Sequence, residues 1–369
     1  MLESEIEVLK KENQELKQEL IKFKTFEENH AKIFNGKNIM ITGGTGSFGK
    51  KFIKYVMENS SPNKIVIYSR DEMKQWMMAE EYKRNPVLKF VVGDIRDKER
   101  LSTACRDIDY LVHAAAMKIV PTAEENPGEA IKTNIFGAMN VTEVAIKNKV
   151  KKVIALSTDK ACNPVNLYGA TKLCSDKLIV AANEYSHPEG TIFSVVRYGN
   201  VIGSRGSVIP FFLEKKQEGV IPVTDERMTR FMINLEQAVK FVVKNFSRME
   251  GGEIFVPKIP STKIVDLAKA IGPECEIKFI GIRPGEKLHE AMISADDSRN
   301  TLELEDCYMI KPEFSWWDNN NHLGKSKPVP AGFAYTSDAN PDFLNIEELK
   351  KLVENFLNEN KTQEVKKKF

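Results

Sequence analysis

Two short stretches carry residue types able to move protons. In LYGATK, Tyr168 and Lys172 stand four residues apart, which on a helix puts both side chains on one face. A tyrosine ordinarily gives up its proton near pH 10, so it works as a base near neutrality only beside a cation, and Lys172 supplies one. Just upstream, LSTDKA sets Asp159 next to Lys160, two titratable groups whose roles as acid and base can be separated by environment. Either pair alone has an ordinary explanation. A Tyr-x-x-x-Lys spacing is common, and an adjacent Asp-Lys pair usually lies solvated in a loop. The elements that position them distinguish the readings.

The stretch IMITGGTGSFG (39–49) runs from an apolar strand-like segment into Gly43, Gly46 and Gly49. It resumes as KKFIKYVMEN, a helix-like stretch with Phe52, Ile53 and Val56 on one side. Glycines let a backbone approach a pyrophosphate, and a helix N-terminus offers it free N–H groups and a positive dipole end. Gly43, Thr45, Gly46, Ser47, Phe48 and Gly49 are therefore candidate dinucleotide ligands, against the plainer reading of a glycine-rich turn. The strand-like runs KNIMIT, KIVIYS, LKFVVG, DYLVHA and KKVIALS alternate with helix-like stretches, which predicts an α/β fold, a doubly wound Rossmann-type parallel sheet. Asp159 and Lys160 then fall just past the fifth strand, at the carboxyl edge where such sheets collect catalytic groups.

The same edge offers further ligands. Ser69 and Arg70 end the second strand where an NAD site usually has an acid, and an arginine there suits a 2′-phosphate, favouring NADP. Asp71 follows directly, and a small change of loop path would turn its carboxylate to the ribose instead. Asp94 and Ile95 follow the third strand, with Asp94 either beside a bound adenine or capping a helix. In HAAAMK, the small Ala114, Ala115 and Ala116 let a cofactor pass close to the backbone, and Lys118 enters the same crevice. Asn134 lies in a helix-like stretch and either binds backbone or water beneath the site or is merely structural.

The chain has 369 residues, 42% of them hydrophobic, enough for one large or two medium domains, and its net charge of +2 argues against a polyanion as main partner. The five cysteines are scattered without a CxxC, the five histidines lack ligand spacing, and we expect neither disulfides nor a metal. No basic-then-apolar leader and no apolar run near ~18 residues is seen, which predicts a soluble cytoplasmic protein. Residues 1–34 read as a separate arm: Leu2, Ile6, Leu9, Asn13, Leu16, Leu20 and Phe23 form a heptad seam, expected to make a homo-oligomer or else to dock on its own body. We place the NADP-binding domain at 35–203 and a smaller substrate lobe at 204–358, partly packing back on it. Residues 316–330 read as an irregular loop, 346–357 as a last amphipathic helix, and 359–369 as a disordered basic tail.

TGGTGSFG, HAAAMK and YGATK together resemble the extended short-chain dehydrogenase/reductase family. STDKACNPVNLYGATKL, RYGNVIGSRGSVIPFF, VTDERMTRF and GIRPGEKLHE resemble its inverting 4,6-dehydratases of UDP-N-acetylglucosamine, over about residues 35–355. The resemblance implies a tightly bound, recycled NADP and a reaction in which Tyr168, helped by Lys172, takes the C4 hydroxyl proton while Thr158 bonds the C4 oxygen. Lys160 then acts as base at C5 and Asp159 as acid at C6, with hydride returning to C6 and C5 inverted, as the first step of pseudaminic acid formation. Arg283 is the preferred ligand for the UDP diphosphate, with Lys118, Asn200, Arg205, Val208, Ile209, Thr224 and Glu286 as further substrate contacts; surface salt-bridging is the plainer account of Arg205, Arg227, Arg230 and Arg283. Retaining relatives typically carry methionine in place of Tyr168. Ile119 departs from the family pattern, which has a polar residue there. The alternatives are a UDP-hexose 4-epimerase or ketoreductase, which needs no Asp-Lys pair for elimination, and an idle NADP-binding scaffold.

Overall fold

The computed structural model describes residues 30–186, 190–203, 207–314, 317 and 326–367. Six strands lead the chain: β1 (Asn38–Thr42), β2 (Lys64–Ser69), β3 (Leu88–Val92), β4 (Tyr110–His113), β5 (Lys152–Thr158) and β6 (Ile192–Tyr198). They lie in the order β3-β2-β1-β4-β5-β6, all parallel. In β1, β2, β4, β5 and β6 nearly every residue is buried, because helices cover both faces, and this is why these strands read as continuous apolar runs. The chain winds outward from β1 to β3 and then crosses back to β4. The reversal opens a crevice between β1 and β4 at their carboxyl ends.

The sheet does not stop at β6. Ile254–Pro257 adds in parallel, and Cys307–Ile310, Thr301–Glu303 and Lys327–Pro328 follow antiparallel, giving ten strands. Lys327 and Pro328 fall in the stretch expected to be an irregular loop; Pro328 is tolerated because the strand is at the sheet edge. A second apolar core joins helices Val208–Lys216, Ile264–Ile271 and Ile346–Lys367 through Phe212, Leu267 and Leu349.

Two expectations are corrected at the ends of the chain. The last helix, expected over 346–357, runs to Lys367, so the basic run expected to be disordered continues it. Residues 358–367 contain no glycine or proline, and Lys, Glu and Gln are good helix formers. At the other end, residues 1–29 carry the whole heptad seam and lie outside the described residues. Phe34, counted with the arm, is instead a core residue that meets Phe52, Tyr110 and Phe246 edge to face.

Two helices shape the site. Leu167–Ser186 carries Tyr168 and lies against the turn Asp159–Ala161. Its Gly169 is there because there is no room for more: a Cβ would stand 2.2 Å from the Lys160 carbonyl oxygen. Across the crevice, Pro127–Ile131 passes through a π-helical turn, Lys132–Phe136, before continuing as Gly137–Lys147. Asn134 sits within that turn. Among the described residues, no helix is long and apolar enough to cross a membrane.

Candidate active site

The glycine loop lies in the crevice between β1 and β4. Gly43 has φ +69°, and a Cβ on it would stand 2.9 Å from the Ala115 backbone, so the loop and HAAAMK approach as only glycine allows. Thr42 fixes the facing segment: its Oγ1 accepts from the Ala114 and Ala115 N–H groups at 3.2 and 3.3 Å and bonds His113 Nδ1 at 2.8 Å. Burial, with Lys172 nearby, brings His113 down to about 3, so this imidazole is neutral. Helix Ser47–Asn59 starts at Gly46 with no side-chain cap and no acid in its first turn. Its N–H groups are free to receive an anion. Thr45 is buried and Ser47 and Phe48 half-buried beside them, and the cradle fits a dinucleotide pyrophosphate.

At the end of β2, Arg70 and Asp71 differ in their local contacts. Asp71 caps helix Glu72–Glu81: its Oδ1 accepts from the Lys74 N–H at 2.9 Å, and its Oδ2 pairs with the Lys74 ammonium, contacts that hold its carboxyl below the usual range. The Arg70 guanidinium is left 59% exposed, with Asp94 3.7 Å away. Ser69 is buried under Gln75, whose Nε2 donates to the Ser69 carbonyl and hydroxyl and to the Val91 carbonyl, each at 3.0 Å. Asp94 does not cap the next helix; Asp97 does, accepting from the Arg100 N–H at 2.9 Å. Asp94 instead grips Arg96 through its backbone N–H, Nε and Nη2. Ile95 packs inside the core against Gly137.

Past β5 the chain turns once, and that turn brings the acid-base groups together. Asp159 is fully buried; its Oδ1 accepts from Thr158 Oγ1 at 2.9 Å and from Lys160 Nζ at 3.0 Å, and its Oδ2 has no hydrogen-bond partner. The Asp-Lys pair is thus not a solvated one. Burial alone would lower the Lys160 ammonium, but Asp159 and Glu290, the latter 3.3 Å away, outweigh it and hold the group above its ordinary range. Burial pushes the Tyr168 phenol up to about 12, against the pull of Lys160 and a hydrogen bond with Thr158. Lys172 is buried on the same helix, one turn along. Burial lowers it while Asp176 opposes, and Asp176 in turn accepts from Ser157 Oγ at 2.7 Å and Arg197 Nη2 at 3.2 Å.

Asn134 takes the supporting place considered for it. Its Oδ1 accepts from the Met117 N–H at 2.8 Å, and its Nδ2 donates to the Met117 carbonyl and Thr171 Oγ1, both at 2.9 Å. It thereby fixes HAAAMK against the tyrosine helix, while Lys118 and Ile119 stay exposed at the rim. The GIRPGEKLHE segment crosses to the same helix: Asn166 Nδ2 donates to the Gly285 carbonyl at 2.8 Å and Lys287 Nζ to the Cys162 carbonyl at 2.6 Å.

The remaining candidates divide. Thr224 is buried, and Asn200 is half-buried with its Oδ1 lacking a hydrogen-bond partner. Val208 is half-buried, and the Ile209 side chain sits in the second core. Arg283 is exposed and pairs with Glu286 at 2.8 Å, and Arg227 is exposed and pairs with Asp225, so both now make surface ion pairs. Arg230 is buried and donates to the carbonyls of Thr229, Leu288 and Lys287. Arg205 lies outside the described residues. One group was not singled out in the sequence: Glu290, buried against Lys160 and separated from it by 130 positions, so no local spacing marks it.

Extended short-chain dehydrogenases and reductases build their sites in this way, with a glycine loop at the β1/β4 crevice and a Tyr-x-x-x-Lys helix behind β5, and this chain is one of that class. Residues 39–312 match the family described as polysaccharide biosynthesis protein, and the chain belongs to it. A Campylobacter jejuni protein (serotype O:2) named UDP-N-acetylglucosamine 4,6-dehydratase (inverting) is 58% identical over 329 residues, covering 87% of this chain and 98% of its own. A Rickettsia canadensis protein named UDP-glucose 4-epimerase is 42% identical over 330 residues, covering 87% and 96%. The solved structure of Pen from Bacillus thuringiensis is similar with a TM-score of 0.79 at 39% identity, covering 87% of this chain and 98% of that one.

Proposed function

We propose that this protein is an NADP-dependent UDP-N-acetylglucosamine 4,6-dehydratase that inverts C5, producing UDP-4-keto-6-deoxy-L-arabino-HexNAc as the first step of pseudaminic acid biosynthesis in the cytoplasm. The observation that carries the reading is the Thr158-Asp159-Lys160 turn under Tyr168, with Asp159 fully buried, since elimination needs an acid and a base beyond the tyrosine and a simple epimerisation does not. The 58% identity to the Campylobacter jejuni dehydratase supports it.

An oxidised nicotinamide, held by the glycine loop and the alanine segment, would supply the hydride acceptor. Tyr168 takes the C4 hydroxyl proton, with Thr158 bonding the C4 oxygen and Lys160 already lowering the phenol against its burial. Once C4 is a ketone, the C5 hydrogen is acidic. Neutral Lys160 removes it, and protonated Asp159 gives its proton to the C6 oxygen, which departs as water. That step leaves an ammonium and a carboxylate, the ion pair seen at 3.0 Å. The reactive form is therefore the same pair with one proton moved from Lys160 Nζ to Asp159 Oδ1. Hydride return to C6 would complete the transfer; a proton from water reaching C5 from the opposite face inverts that centre, and the proton taken by Tyr168 goes back to solvent.

Arg70 is the proposed 2′-phosphate ligand, supported by its exposure and by the engagement of Asp71 as a helix cap. Arg283, 65% exposed and paired with Glu286, is the proposed diphosphate ligand, and Asn200, whose buried Oδ1 has no hydrogen-bond partner among the described residues, accompanies it. The heptads of residues 1–29 make the proposed homo-oligomer. A 4-epimerase is the second reading, favoured by the Rickettsia canadensis relative. The test is to incubate the purified protein with UDP-N-acetylglucosamine and no added cofactor and follow the product by proton NMR. A C6 methyl with inverted C5 is expected; UDP-N-acetylgalactosamine without a C6 methyl signal would transfer the case to the epimerase.

A further inference from the structure

The elimination as written leaves one buried charge in contact with it unused. Glu290 immediately precedes Ala291–Ile293, which packs on the Asp159–Ala161 turn. Ser337 fixes its backbone from both sides, with the Glu290 N–H donating to Ser337 Oγ at 2.9 Å and the Glu290 carbonyl accepting from the Ser337 N–H at 2.8 Å. Its side chain is 2% exposed; Oε1 is 3.3 Å from Lys160 Nζ and 3.9 Å from Arg230 Nε, while Oε2 is 3.6 Å from Lys287 Nζ and has no hydrogen-bond partner.

The other two cations are committed elsewhere. Arg230 donates to three backbone carbonyls and Lys287 to that of Cys162. Lys160 is the cation closest to Glu290, and its other anionic partner is Asp159. A salt bridge serving only to fasten two segments can usually be replaced by apolar packing, and burying a carboxylate for that purpose is unfavourable. At this position it does something packing cannot. When the proton has moved to Asp159, the neutral Lys160 amine can still donate to Glu290 Oε1, and Glu290 is then the anion left to hold Nζ in place.

We infer that Glu290 is a positioning residue for the elimination: it shares the Lys160 ammonium with Asp159, anchoring Nζ through the proton transfer and keeping the Asp159-Lys160 pair from losing its proton at alkaline pH. The inference rests on the dehydratase reading. The groups facing Lys160 are Asp159 on its own turn, Glu290 before Ala291–Ile293, Arg230 on Thr229–Ile233, which pulls the other way, and Tyr168 on its helix. Removing the Glu290 charge lowers the Lys160 pKa, so the pair gives up its proton at lower pH.

The test uses the holoprotein and Glu290→Gln, which keeps the shape and removes the charge. The titration of Lys160 is followed by NMR of 13C-labelled lysine without substrate, assigned with Lys160→Arg, and the pH dependence of dehydration is measured in parallel. The Lys160 titration and the alkaline limb are expected to move down together by about one to three units. Glu290→Asp, which keeps the charge but draws it back, should move both only part of the way. It also stands in should the glutamine variant fail to fold. A lowered melting temperature with an unmoved titration and limb would make Glu290 a structural clamp and overturn the inference. Failure of the wild-type protein to dehydrate UDP-N-acetylglucosamine would instead remove the functional reading, because the lysine titration is read without substrate.

Discussion

Gly169 makes the link between helix packing and chemistry measurable. An alanine there would place its Cβ 2.2 Å from the Lys160 carbonyl oxygen and 3.1 Å from Pro164 Cβ, where ordinary contact begins near 3.4 Å. The obstructing atom is backbone, so no side chain can rotate away. The helix and the turn must part by about 1 Å, an overpacking cost of about 1–3 kcal/mol. The same displacement separates Tyr168 from Thr158 and Lys160, and a misplacement of ~1 Å in a reacting group costs on the order of a hundredfold in rate. Gly169→Ala should therefore unfold at lower urea, with an unchanged slope, and lose about a hundredfold in kcat. Gly128→Ala is the control. That glycine is helical and has nothing within 4 Å of its would-be Cβ, so alanine should hold or raise stability by up to ~1 kcal/mol. Wild-type kcat in Gly169→Ala would refute the claim that helix-to-turn contact sets the geometry of the site.

Tyr168→Phe should abolish every step, including transient reduction of the bound cofactor, whereas Asp159→Asn should accumulate reduced cofactor absorbing in the near ultraviolet and form product about a hundredfold to ten-thousandfold more slowly. Near-normal dehydration by Asp159→Asn would defeat its role as acid, and normal C5 exchange with deuterated solvent in Lys160→Ala would defeat the assigned base. Arg70→Ala should weaken NADP far more than NAD in a binding titration; equal losses would remove Arg70 from the phosphate site. Deleting residues 1–29 should change the mass seen by light scattering while leaving turnover intact, and an unchanged mass would mean that the heptads dock on their own chain. The deletion has to stop there because Ala31 and Phe34 are buried.

The sheet was legible because buried parallel strands leave continuous apolar runs and the helices between them do not. The Tyr168-Lys172 and Asp159-Lys160 pairs were legible for a related reason: their partners are near in sequence, on one helix face or one turn. What depends on distant segments was not. Glu290 reaches Lys160 only because Ala291–Ile293 packs on the β5 turn, and nothing in GEKLHE announces that. Between Arg70 and Asp71 the sequence left a choice, and the hydrogen bond from the Lys74 N–H that makes Asp71 a helix cap could not be read from it. Ile209 was placed by resemblance at the substrate, while its apolar side chain follows burial into the second core. The length of the last helix was misjudged because a basic run was taken as solvated coil, although its residues favour helix.

The π turn at Lys132–Phe136 has a consequence for how this chain can change over time. A regular helix through the same points would hold one residue fewer, and a one-residue deletion there is the simplest way to regularise it. Such a deletion would leave Pro127–Ile131 and Gly137–Lys147 in place and turn only residues within the bulge, by up to about 100°. Asn134 would then release Met117 and Thr171 at once, loosening both the alanine segment and the tyrosine helix. A lineage that tolerates substitution on either flank of the turn should still resist any change in the number of residues within it.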